Sequence, residues 1–316
     1  MKKILGILVL GLIFLAETAN AGVGRFKSGQ FYEGEVVWST RVKVTLPDGK
    51  WQVADKWNWS YNALAAGQVA LILEENNIAQ GIVVIGELAG NGKWISYVAE
   101  AVYEFLYANK YDGCYERPEY FLIKNFKSGM SHNCFSVGHM DTQRDIYNSD
   151  DPFAKHSTAA IRKWLRDKNA KLPPIMLCSS HDYFAPVVKD TLYSVAYCMN
   201  PERFGGPKNK FFTEETSEYY PPNINNFPKH KKFMEKWVKL SAKRHRLFEN
   251  GVRAKERHKL DFSEYGVEEV FEKTQATPTS SSTTEELKEC IKLYKAGDLT
   301  KKQFENCKNK ILISSN

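Results

Sequence analysis

Apolar and polar positions alternate in short runs along the first two thirds of the chain, and the runs come in pairs. Val42-x-Val44-x-Leu46 and Trp51-x-Val53 flank Pro47-Asp48-Gly49, which has the composition of a tight turn between two antiparallel strands. Val69 to Leu73 and Ile82 to Ile85 form a second pair across Glu75-Asn76-Asn77, and Tyr120 to Ile123 with Cys134 to Val137 a third. Pro174 to Phe184 and Thr191 to Tyr197, joined near Val187 and Lys189, form a fourth. Three-and-four spacing interrupts them at Trp94, Val98, Ala101, Val102, Phe105 and Leu106, and at Ile161, Trp164 and Leu165, and predicts helices there. Strand pairs alternating with helices predict an α+β domain over residues 22–225, with antiparallel sheets and helices packed on them.

A longer helix is predicted over residues 227–260. Phe233, Trp237, Leu240, Leu247, Phe248 and Val252 mark its apolar side. From Lys229 to Leu260 there are twelve Lys or Arg and three Glu, a net of +9, whereas the whole chain carries +7. The rest of the chain therefore sums to −2, and this helix holds the basic character. Its lysines either stand solvated or present a binding surface, with Lys236, Lys239, Lys243, Arg244 and Arg246 as the candidates. An anionic membrane surface or an acidic envelope protein suits such a face. Nucleic acid is not an expected partner of an exported chain.

Export is read from the start of the sequence. Lys2 and Lys3 precede a twelve-residue apolar run, Ile4 to Leu15, followed by Ala19-Asn20-Ala21, the small-x-small form of a signal peptidase site. Residues 1–21 are therefore expected to be removed, leaving a periplasmic or extracellular protein that begins at Gly22. All six cysteines fall after that cut, and an even count in an exported chain reads as disulfides before metal or nucleophile. The fourth strand pair sets Cys178 opposite Cys198. Cys114 with Cys134 is the weakest pairing, because a turn at Lys127-Ser128-Gly129 sets Cys134 opposite Leu122.

After the long helix come five acids without a base between Asp261 and Glu272, then eight Ser or Thr among the eleven residues Thr274 to Thr284. Residues 261–284 read as a linker. Beyond it, Leu287, Cys290, Leu293, Gly297, Leu299, Thr300, Gln303, Phe304, Glu305, Lys308, Ile311 and Leu312 give two short amphipathic runs around a helix-ending glycine and a capping box. A hairpin folded between Asp298 and Leu299 sets Leu293 against Phe304 and Cys290 against Cys307, which predicts a Cys290–Cys307 disulfide. Residues 285–313 resemble the SHOCT family of short C-terminal domains. That resemblance implies a helical hairpin used for oligomerisation or interaction, hence a homo-oligomer formed through the tail. The two cysteines depart together from the family pattern, and a disulfide across the hairpin explains both departures.

Catalytic candidates are few. Gly86 to Lys93 follows a strand as a phosphate-binding loop would, but its first glycine comes one residue too early and Trp94 stands where Ser or Thr would hold magnesium. A strand-to-helix turn accounts for it, and no cofactor is expected. Ser179 and Ser180, with His132, His139 or His181 and with Asp141 or Asp182, supply the residue types of a secreted hydrolase. No Gly-x-Ser-x-Gly elbow is present, and His181 and Asp182, adjacent on an extended segment, point apart. His132, His139, His156 and His181 lack paired ligand spacing, so no metal site is expected. The leading expectation is a binding or assembly component of a bacterial envelope, with the hydrolase as the alternative.

Overall fold

The computed structural model describes residues 23–39, 42–61, 64–90, 118–126, 132–149, 155–185, 189–252 and 260. The chain divides into two units, residues 1–267 and 268–316. The second, where the helical hairpin and the Cys290–Cys307 disulfide are expected, lies outside the described residues, as do Cys114 and the helix expected at 94–106.

Ten strands are described: β1 (Phe31–Tyr32), β2 (Glu35–Ser39), β3 (Val42–Thr45), β4 (Trp51–Tyr61), β5 (Leu64–Glu75), β6 (Ile78–Gly90), β7 (Tyr120–Asn125), β8 (His132–Asp141), β9 (Ile175–Ala185) and β10 (Lys189–Met199). The two α-helices among the described residues are α1 (Lys155–Lys168) and α2 (Pro228–Gly251). Eight strands join one antiparallel sheet in the order β1-β4-β5-β6-β10-β9-β8-β7, and β2 and β3 form a separate ribbon. The α+β expectation is thereby overturned: the fold is mainly β, a single large sheet with few helices. The strands run well past the apolar patches that signal them. β4 continues through Asp55 and Asn58, and β6 through Glu87 to Gly90, so what reads as separate pairs merges into one sheet. Gly86 accordingly sits inside β6, paired with Gln68 of β5 and Ser194 of β10, and Gly90 ends that strand opposite Leu64 of β5, so neither lies in a turn.

Local signals decide some pairings. β5 and β6 close through Asn76 and Asn77, at φ of 56° and 60°, a left-handed pair that matches the twist of a two-residue hairpin. β9 and β10 bring Cys178 opposite Cys198, and a disulfide joins them. Cys134 is also disulfide-bonded. It faces Asn125 on β7, while Leu122 faces Val137, so the β7–β8 register differs by three residues from the one that sets Cys134 against Leu122. β3 and β4 do not pair: β3 pairs with β2, and β4 with β1 and β5.

The two faces of the sheet are covered differently. α1 lays Ile161, Trp164 and Leu165 on Ala70, Ile72, Ala79, Ile82 and Met176, with the Cys178–Cys198 bridge at the edge of that cluster. The opposite face carries the ribbon and α2. Trp38 of β2 donates its indole N–H to Glu87 at 2.7 Å, and the Tyr197 hydroxyl donates to the Thr45 carbonyl at 2.9 Å. A Cβ on Gly251 would run into the Lys43 carbonyl, so only glycine lets the last turn of α2 close on β3.

Candidate functional site

Under α2, strands β8, β9 and β10 turn every second side chain towards the helix. Ser179 and His181, two apart on β9, share this face, and both are buried. Ser179 Oγ lies 3.1 Å from His181 Nε2. On its other side, His181 Nδ1 lies 3.2 Å from Nδ1 of His245, from α2. The two imidazoles stack at 5.3 Å, with Phe135 of β8 against both at 5.4 and 5.2 Å, and Tyr197 of β10 meets His181 edge-on. Asn133 of β8 donates to Glu249 Oε1 at 2.6 Å, and Arg246 donates to Glu249 Oε2 at 2.9 Å. α2 is thus tied to the sheet through polar groups.

The contact between the histidines constrains their protons. Two Nδ1 atoms at hydrogen-bond distance need one donor and one acceptor, so at least one ring is neutral. Burial, with the neighbouring His245 and Arg244 charges, holds the His181 pKa well below its ordinary value. When His181 Nδ1 donates to His245, its Nε2 accepts from the Ser179 hydroxyl; when His245 donates, Nε2–H donates to Ser179. Either tautomer closes the chain. In a catalytic triad a carboxylate holds the Nδ1 proton; here that nitrogen faces a second imidazole, and both the serine and the histidine are covered by the helix.

The remaining candidates lie apart. Ser180 and Asp182 alternate to the other face of β9. His139 pairs in register with Leu177, four residues from His181 along β9, or about 13 Å. It is buried, its Nε2 3.0 Å from the Glu214 carbonyl, and burial lowers its pKa to about 4. Asp141 accepts from the backbone N–H groups of Gln143 and Arg144, where it caps a turn, and Arg144 pairs with the buried Glu214. His132 opens β8 opposite Phe184. Among the described residues no group of three or more His, Cys, Asp or Glu is placed to hold a metal ion.

The basic helix divides by face. At 100° per residue, Lys229, Lys232, Lys236, Lys239, Lys243, Leu240 and Leu247 fall within an arc of about 100°, and all seven are exposed. No acid lies in that arc. Arg244 and Arg246 leave the group. Arg244 is buried with its guanidinium over the rings of Tyr197, at 5.3 Å, and Trp237, at 5.1 Å. Burial lowers its pKa to about 10, which still leaves it charged at neutral pH, and Arg246 is taken by Glu249. His245, Glu249 and Asn133 were not among the sequence candidates. A signal for them exists: His230, Met234, Trp237, Ser241, His245 and Phe248 also recur at helical spacing, a second stripe that mixes apolar with polar residues.

Comparison with models of protein families, with curated proteins and with solved structures finds no match. The functional reading therefore stands on the residues.

Proposed function

We propose that this protein is an exported binding component of a bacterial envelope, which meets an anionic partner through the outer face of α2. The observation that carries the reading is the arc of five lysines without an acid. A disulfide fits an oxidising compartment, and among the described residues no helix is long and apolar enough to cross a membrane. Both are compatible with an extracellular location; the leader-like residues 1–21 add support for export. Near an anionic leaflet each lysine contributes about 1 kcal/mol. Five then supply at most about 5 kcal/mol, which is sub-millimolar binding and readily screened.

The test is co-sedimentation with vesicles of zwitterionic lipid containing an anionic component. Binding is expected to be strongest at low salt, and its lysine contribution falls as salt rises. Lys236→Gln/Lys239→Gln/Lys243→Gln should weaken it at least about tenfold with the melting temperature unchanged, since three contributions near 1 kcal/mol each are removed. Equal binding to neutral vesicles, or indifference to the three changes, defeats the reading. The hydrolase has the Ser179–His181 contact in its favour and the burial of both groups against it. Labelling of Ser179 by a fluorophosphonate in the folded protein would favour the enzyme.

A further inference from the structure

Among the described residues eight large apolar side chains are exposed: Phe31, Val37, Ile78, Tyr147, Phe211, Phe212, Leu240 and Leu247. Half of them belong to α2's lysine face or to the loop braced against that helix. We propose that the anionic partner is a lipid bilayer, with Phe211 and Phe212 as an aromatic anchor that enters its interface beside the lysine face of α2. The proposal rests on the reading above and narrows it.

The loop is held in place by a buried carboxylate. Glu218 is 1% exposed, and it accepts the backbone N–H of Lys210 at 2.8 Å and of Phe211 at 3.4 Å. Ser217 N–H bonds back to the Thr213 carbonyl at 2.9 Å, and the Thr213 and Thr216 hydroxyls meet at 2.6 Å. The backbone that carries the two phenyl rings is therefore fixed on both sides, yet the rings themselves are 47% and 53% exposed. Next to Glu218, Tyr219 packs edge-on against His230 at 4.9 Å and, tilted, against Phe233 at 6.4 Å. The loop is thus braced on the first turns of α2, from which Lys229 and Lys232 project. Lys208 and Lys210 immediately precede the phenylalanines.

Lysines alone suffice for a soluble acidic polymer, which has no apolar layer to cover exposed phenylalanine and leucine. A bilayer interface uses both. Apolar and aromatic side chains sink to the boundary between head groups and acyl chains, while lysine stems lie along it with the ammonium in the head-group layer. Leu240 and Leu247, set between the lysines, extend the same chemistry along the helix.

The test compares wild type and Phe211→Ser/Phe212→Ser, as the full exported chain, on anionic vesicles and on soluble polyglutamate. A melting curve confirms that the fold is kept, as expected for exposed rings. Removing two half-exposed rings should weaken vesicle binding about thirtyfold. It should also abolish the binding that persists at about 1 M salt, where charges are screened within about 3 Å. Polyglutamate binding should not change. A variant that binds vesicles like wild type, or that loses polyglutamate equally, overturns the anchor and leaves the lysine face intact. Association of wild type in lipid-free buffer that the double change abolishes also overturns it, because the rings then serve a second copy. Wild type that ignores anionic vesicles altogether sinks the earlier reading, and this one with it.

Discussion

The two helices bury opposite kinds of surface. α1 sends Ala160, Ile161, Trp164 and Leu165 into the sheet and leaves Lys163 and Asp167 to pair in solvent. α2 buries Arg244, His245, Glu249, Ser241 and His230 among its apolar residues, while Leu240 and Leu247 stand exposed between lysines. Their neighbours differ in the same way. Beneath α1 the sheet offers Ala70, Ile72, Ile82 and Met176; beneath α2 it offers Asn133, Ser179, His181 and Tyr197. A helix turns its most apolar stripe inward when the receiving face is apolar. Where that face carries unsatisfied hydrogen-bonding groups, polar complementarity competes, because a buried polar atom left without a partner costs more than an exposed leucine.

The sharpest way to break this contrast is to remove α2's polar anchor. Glu249 is 1% exposed and holds Asn133 on β8 and Arg246 on its own helix. Glu249→Ala takes a partner from each, and by the usual cost of breaking a buried pair it should destabilise the fold by about 3–5 kcal/mol in urea unfolding. Lys163→Ala on α1, which removes a solvent-exposed partner of Asp167, should leave the unfolding midpoint where it is. Similar midpoints for the two variants would mean that the polar contacts under α2 do not hold the helix.

Acid offers the next largest separation. His181 and His139 fold with pKa values below the ordinary 6.5, His139 at about 4, chiefly through burial. Their neutral forms are favoured by folding, so this stability is complete above about pH 6.5 and is lost as pH falls towards the folded values. Each histidine costs about 1.4 kcal/mol per pH unit in that window. Replacing the chain under α2 with apolar groups, as Ser179→Ala/His181→Leu/His245→Leu, makes this interface resemble that of α1. The triple variant should hold its stability near pH 8 to within about 2 kcal/mol and lose less of it between pH 6.5 and 4.5 than wild type does. Equal acid sensitivity would remove the histidine pair from the explanation.

The same contrast says what could be read from the sequence. α1, the β5–β6 hairpin and the Cys178–Cys198 pairing were legible because each is decided by residues close in sequence: an apolar stripe, an Asn-Asn turn, an alternating hairpin. The β3–β4 pair was not. Pro47-Asp48-Gly49 has the composition of a hairpin turn, but here it is a corner, with Trp51 donating its indole N–H to the Pro47 carbonyl at 2.8 Å as the chain passes from the ribbon to the sheet. Turn chemistry bends the chain and does not say which layer comes next. For α2, the stripe through Phe233, Leu240 and Leu247 lies roughly 100° from the buried one. That rotation brings His245 to His181, Glu249 to Asn133 and Arg244 over Tyr197, residues of three distant strands. Ser179 and His181 were singled out as residue types, but their partner His245 comes from α2 and is reached only through the fold.

The smallest expected effect concerns the leucines themselves. Leu165 on α1 is 3% exposed, and Leu165→Ala should cost about 2–5 kcal/mol through lost burial and the cavity left behind. Leu240 and Leu247 on α2 are 38% and 39% exposed. Nothing closes over them among the described residues, so Leu240→Ala and Leu247→Ala should each stay within about 0.5 kcal/mol of wild type in urea unfolding. Either substitution should nevertheless weaken binding to anionic vesicles, because the methyl groups removed are those that a bilayer would cover. The two measurements together discriminate. If Leu247→Ala unfolds as easily as Leu165→Ala, the outer face of α2 is already covered within the molecule, and the proposed docking surface loses its accessibility. If it unfolds like wild type and also binds like wild type, the leucines are only tolerated in solvent, and the lysines alone carry the contact.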